Sequence, residues 1–284
     1  MSGHQPPARP ASEDAVEHEA PAALHVVRHH AGDAGRGAPP GSGQRAAPTV
    51  VLVHGSLDRG SSFVRVVRRL PELDVVTYDR RGYHHSRAAG VARTLDDHVA
   101  DLVSIVGEGP AVVIGHSYGG DVALGAALAA PDSIGAVGAY EPPLPWMDWW
   151  PRRVRSAAEE DPGVFAESFF RRLVGDAGWE RLTDQARAAR RADGPALVAE
   201  LTDLRGGAAP FDPATLQVPA VLGRGELSLD HHRRAIEVLA DLVPRAEVMD
   251  IPGAAHGVLL SHPDGFAALV RRVVRRAITT PATE

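Results

Sequence analysis

From residue 49 onward, short apolar runs alternate with longer stretches in which apolar side chains recur three and four positions apart. The short runs read as strands over residues 49–54, 74–78, 111–115, 134–140, 218–223 and 246–251. Several are nearly continuous in apolar residues rather than alternating with polar ones, as strands covered on both faces require. The longer stretches, 60–70, 94–108, 118–130, 231–242 and 263–277, carry amphipathic-helix spacing. Asp58 or Ser61 is the expected cap of the first helix, and Pro131 is expected to close the third. Alternation of this kind predicts an α/β fold on a mostly parallel sheet.

Two regions depart from the alternation. Residues 1–21 are polar and Pro-rich and read as a disordered tail, followed by a short strand over 24–30 and a Gly/Pro-rich loop over 31–48. Residues 142–217 contain helical patterns but no strand, and are rich in aromatics: Trp146, Trp149, Trp150, Phe165, Phe169, Phe170 and Trp179. This segment reads as a helical cap inserted into a core formed by residues 22–141 and 218–284. Internal packing is the expected role of most of its aromatics, with some left to line a substrate pocket.

Composition narrows the chemistry. The 284 residues include no cysteine, which excludes a disulfide framework, a thiolate metal site and a Cys nucleophile. The formal charge is −6 and every basic residue is an arginine, with no dense basic run, so nucleic acid is not an expected partner. Arg pairs such as Arg152-Arg153 and Arg271-Arg272 read as solvated helix faces. No run reaches the ~20 apolar residues of a membrane span, so the expected location is cytoplasmic. No cofactor is expected, and the pairs His29-His30, His84-His85 and His231-His232 are not read as a metal site. The sequence sets no oligomeric state.

The chemistry-bearing residues sit where predicted strands end. Gly115-His116-Ser117-Tyr118-Gly119 joins an apolar strand to an Ala-rich helix. A G-x-S-x-G turn in that setting lifts the Ser hydroxyl above the sheet, and the next helix aims its N-terminal N–H groups at the same point. A nucleophilic Ser needs a base. His256, in Gly253-Ala254-Ala255-His256-Gly257, follows the last strand and is the best placed of the histidines. His54-Gly55-Ser56 follows the first core strand, so the backbone N–H groups of Ser56 and Tyr118 are the expected oxyanion hole.

The order strand-HG, strand-DRRGYxxS, strand-GHSYGG, strand-YEPP and GxxHG resembles the α/β-hydrolase superfamily over roughly residues 24 to 277. The resemblance implies an eight-stranded, mostly parallel sheet with a helical cap, and a serine hydrolase acting on an ester or related acyl bond of a small to medium apolar substrate. His84-His85 is a departure, since many relatives have Gly at the first of these positions. Ser rather than Asp at 117 argues against epoxide hydrolysis and dehalogenation. Perhydrolysis, thioester cleavage, C–C bond hydrolysis and a non-catalytic ligand-binding role remain alternatives.

The third member of a triad must be a carboxylate that holds the His tautomer. Glu141, in Tyr140-Glu141-Pro142-Pro143, is the expected acid, because relatives with Ser at the usual acid position commonly carry the YEPP segment. Glu226 competes if Gly223–Glu226 is the family's Gly-x-x-Asp register; the other register, Gly225–Ser228, puts Ser228 there, and Asp230 is a weaker choice.

Overall fold

The computed structural model describes residues 23–32, 48–151, 161–206 and 208–279. The tail expected over 1–21, most of the loop over 31–48 and the Arg152-Arg153 pair lie outside the described residues.

The chain runs through strand β1 (Val26–His29), β2 (Thr49–Val53), a 3₁₀ turn (Gly60–Phe63) leading into α1 (Val64–Val67), β3 (Val75–Tyr78), α2 (Leu95–Val106), β4 (Ala111–His116), α3 (Tyr118–Ala129) and β5 (Ile134–Tyr140). Four helices follow: α4 (Pro162–Val174), α5 (Asp176–Glu180), α6 (Asp184–Ala192) and α7 (Gly194–Leu204). The chain then returns to the sheet with β6 (Ala220–Gly225), α8 (Asp230–Leu242), β7 (Ala246–Ile251), α9 (Val258–Ser261) and α10 (Pro263–Thr279).

The sheet order is β1-β3-β2-β4-β5-β6-β7; β1 is antiparallel to β3, and every other pairing is parallel. This is the expected α/β-hydrolase fold, with seven strands among the described residues rather than eight. Residues 33–47, between β1 and β2, are outside the description. The first predicted helix is shorter than its pattern and starts as 3₁₀; its cap residue is Arg59, with no side-chain cap bond, and Asp58 instead accepts from Ser62 Oγ.

Alternate strand residues enter two separate cores. Val51, Val53, Val113 and Val137 pack with α2, α3 and α8, while Val50, Leu52, Val112 and Ile114 pack with α1, α9 and α10. Both faces are therefore covered, which is why the strands read as apolar runs. Leu57 and Tyr83 from the core form a third cluster with Phe165, Ala166, Ala196 and Leu197 of the helices after β5. Phe165 and Trp179 are buried, as internal packing requires. No described helix is long and apolar enough to cross a membrane.

Candidate active site

Parallel strands all present their C-terminal ends on one side of a sheet, and the loops leaving β2, β4, β5, β6 and β7 converge there. Ser117 occupies the turn between β4 and α3 with φ 54° and ψ −130°. That left-handed backbone is costly for a residue with a Cβ, on the order of 1–3 kcal/mol, and persists only where the surroundings enforce it. Two glycines permit the turn: a Cβ on Gly115 would collide with the Gly119 carbonyl, and one on Gly119 with the Val53 carbonyl. Ser117 itself is half-buried and reachable. Its neighbour His116 donates from Nε2 to the His256 carbonyl at 2.8 Å, which ties the β7 loop to the serine turn.

Glu141 is the residue after β5, also at positive φ (48°). Its side chain is fully buried and its carboxylate lies against His256 Nδ1 at 2.7 Å. The other oxygen accepts from Gly225 N–H at 2.8 Å and from Ser228 Oγ. Burial alone pushes a carboxyl upward; the hydrogen bond and charge of His256, with these two donors, outweigh it and hold Glu141 at about 2 against an ordinary 4.5. An ionised carboxylate only accepts, so Nδ1 of His256 carries the proton and Nε2 carries the lone pair.

Glu226 lies elsewhere. Its Oε2 accepts from Gly253 N–H at 2.8 Å, an exposed contact that braces the β7 turn. Ser228 is the group beside Glu141.

The loop after β2 rests on a buried ion pair. Arg80 and Glu200 are bonded to each other, both side chains at most 1% exposed, with Arg80 between the rings of Tyr83 and Tyr118 at 4.9 and 4.8 Å. Arg80 donates to the carbonyls of His54 (2.9 Å) and Gly55 (3.0 Å), and Glu200 accepts from Ser56 Oγ at 2.9 Å. A trans peptide has its C=O and N–H opposed. Turning the Gly55 carbonyl toward Arg80 therefore directs the Ser56 N–H away from the ion pair. Gly55 packs so closely on the nucleophile turn that a Cβ there would be 3.0 Å from the Ser117 Cβ. The Tyr118 N–H opens α3 and has no acceptor within its own helix.

His232 and Glu200 had no functional reading in the sequence, and Trp150 was only one of the cap aromatics expected to pack internally or to line a pocket. His232, in the first turn of α8, stacks on His256 with centroids 4.2 Å apart and planes 12° apart. Burial, then the neighbouring His256, lowers its pKa to about 3, so it is neutral at physiological pH. Trp150 contacts His232 edge-on at 5.8 Å. Glu200 belongs to α7, far from any motif. Of His232 and Glu200, the first gave a signal, through the His231-His232 pair, and its amphipathic-helix setting disguised it.

A strained serine at a strand–helix turn, a histidine after the last strand and a parallel sheet define a hydrolase architecture. The chain belongs to the alpha/beta hydrolase family, whose sequence model matches residues 50–269. It is a hydrolase. A lipase, LipV of Mycobacterium tuberculosis, is 36% identical over 35% of this chain, and the match spans 40% of that protein's length. A pimeloyl-acyl-carrier-protein methyl ester esterase of Chromobacterium violaceum is 29% identical over 77% of this chain and 91% of its own length. Among solved structures, a thermophilic esterase from Thermogutta terrifontis has a TM-score of 0.67 at 20% identity, with 90% of this chain and 95% of that one covered. At that identity the likeness is one of fold.

Proposed function

We propose that the protein cleaves carboxylic esters through a Ser117–His256–Glu141 triad and an acyl-enzyme intermediate. Ester hydrolysis in general is supported by family membership together with the lipase and esterase relatives. The observation that carries the finer reading is the 2.7 Å contact between His256 Nδ1 and a Glu141 carboxylate kept ionised by its neighbours.

In this reading His256 Nε2 takes the Ser117 hydroxyl proton as Oγ attacks the ester carbonyl. The oxyanion is met by the Ser56 and Tyr118 N–H groups, each such donor being worth about 2.7–4 kcal/mol. His256 then delivers its proton to the departing alkoxide, leaving the acyl group on Ser117. A water that gives its proton to His256 attacks the acyl carbonyl, and the same proton returns to Ser117 as the acid leaves. Glu141 stays ionised throughout and stabilises the imidazolium. The helices between β5 and β6 act as the cap, and Trp150, one ring removed from His256, favours a small to medium apolar acyl or alcohol part.

The test is a panel of p-nitrophenyl esters of increasing acyl length, with fluorophosphonate labelling. Ser117→Ala is expected to abolish both turnover and labelling. Glu141→Gln is expected to lower kcat by about 10⁴, the loss seen when a triad carboxylate becomes an amide, while Glu226→Gln retains activity. Full labelling of Ser117→Ala, or loss of turnover in Glu226→Gln but not in Glu141→Gln, would overturn the triad.

A further inference from the structure

Beside Asp79, at the end of β3, lies a cavity of about 150 Å³ whose lining includes His25, Thr77, Asp79, His84 and His85, and none of Ser117, Glu141 or His256. The imidazoles crowd one carboxylate oxygen. His84 Nδ1 and His85 Nδ1 are each 3.2 Å from Asp79 Oδ2 and 3.0 Å from each other. His25 brings a third ring edge-on to His85, centroids 4.6 Å apart, and one ligand atom from each of His25, Asp79 and His85 lies within 4.8 Å of the others.

Hydrogen bonding does not account for the inner triangle. If both imidazoles carry a proton at Nδ1, the two protons face each other. If only one does, the other's lone pair faces the carboxylate. A cation among them meets lone pairs only, and the spacing suits one: ligands about 2.0–2.1 Å from a tetrahedral metal are about 3.3–3.4 Å apart. We propose that Asp79, His85 and His25, with His84 adjoining, bind one divalent transition-metal ion of the zinc or copper type. Imidazole nitrogens with a carboxylate oxygen are the ligands such ions prefer.

The backbone prepares the site. The His25 N–H donates to Ser86 Oγ (2.8 Å) and its carbonyl accepts from the Asp79 N–H (3.0 Å), so the three segments are already tied together. Asp79 Oδ1 accepts from Gly60 N–H at 2.8 Å, and Oδ2, which also accepts from the His85 N–H at 3.3 Å, faces the imidazoles. His84 is held at φ 45°, a left-handed conformation uncommon for a residue with a side chain. The charge of Arg59, which is felt at His84, opposes a cation, and the ligands must outweigh it. No metal site is legible in the sequence, because the ligands come from separate segments, β1's entry and the β3 loop, that only the antiparallel pairing joins. Bound there, the ion would clamp β1, an edge strand held to the sheet by four residues, onto its neighbour.

Glu141, His232 and His256 form a second group with metal-ligand spacing, so the test must separate the two. Tag-free full-length protein, stripped with chelator, is titrated with ZnCl₂ by calorimetry, and thermal melts are recorded with and without Zn²⁺. In His25→Ala/His85→Ala one bound equivalent is expected to disappear or to weaken at least tenfold (about the minimum for loss of an outer-shell partner), and the Zn²⁺-induced rise in Tm to vanish. His232→Gln/His256→Gln is expected to keep that equivalent. Both mutated residues of the first variant are exposed, and its metal-free melt and ester turnover should match wild type. Zn²⁺ binding that survives His25→Ala/His85→Ala, or that is lost only with His232→Gln/His256→Gln, overturns the proposal, as does no binding by wild type.

Discussion

Replacing Glu200 by Gln removes one charge from the buried pair and leaves the other. Arg80 stays protonated without it, because a guanidinium is not deprotonated in proteins and the two Tyr rings still flank it. In the variant its guanidinium keeps the His54 and Gly55 carbonyls but has lost its counter-charge. Breaking a buried pair from one side costs about 3–5 kcal/mol. For a chain of this size, about 2–4 °C of Tm per kcal/mol makes the expected loss about 6–20 °C. The Ser56 hydroxyl exchanges an anionic acceptor for a neutral one, so kcat should fall by less than the ~10²-fold cost of losing an oxyanion donor, with KM little changed. Circular-dichroism melts and ester turnover at 20 °C read both effects. Burial raises the Glu200 carboxyl, but Arg80 overrides it and holds it at about 2. Its stabilisation is therefore complete above about 4.5 and is lost as pH falls toward 2. The gap between wild type and variant must narrow from pH 7 to pH 3. The double change Arg80→Met/Glu200→Met should recover much of the lost Tm, because an apolar pair needs no desolvation of charge. A Glu200→Gln melt within about 2 °C of wild type at pH 7 would refute the reasoning, since it corresponds to at most about 1 kcal/mol.

Two further outcomes follow from buried carboxyls. Ser228→Ala removes one donor from Glu141 while Gly225 and His256 remain, so it should cost about 1.5–3 kcal/mol in urea unfolding and lower kcat far less than Glu141→Gln; equal losses in the two variants would place the effect outside this hydrogen bond. Asp121, fully buried in α3 without a hydrogen-bond partner among the described residues, has a carboxyl raised well above 3.8 by burial. Folded protein then holds a proton that unfolded chain releases, so Asp121→Asn should gain on wild type by about 1.4 kcal/mol per pH unit above ~4 until the folded carboxyl ionises; parallel stability curves from pH 5 to 7 would show that the group is solvated.

The features legible in the sequence were those written into neighbouring residues. β5 and β7 were read to the residue because both are bounded by turns and filled with residues that suit a covered strand. β6 was read two residues early: Pro219 cannot donate to a ladder, and Gly223-Arg224-Gly225, which looks like a break, pairs in register with Met249–Ile251. The candidates Ser117 and His256 stood out through local turns. Glu141 and Glu226 could not be separated locally, since both follow a strand. The difference lies in sheet order: β5 beside β6 beside β7 brings residue 141 against residues 225, 228 and 256. Glu200 had no local signature at all, because an amphipathic helix tolerates Glu on any solvated face. Its burial is favourable only because Arg80, 120 residues earlier, arrives at the same point. A charge that is paired across such a span looks like a surface residue in the chain, and the pairing that ties it to the loop after β2 exists only in the folded molecule. His232 follows the same logic: α8 has an ordinary helical pattern, and only the adjacency of β6 and β7 stacks its first turn on His256.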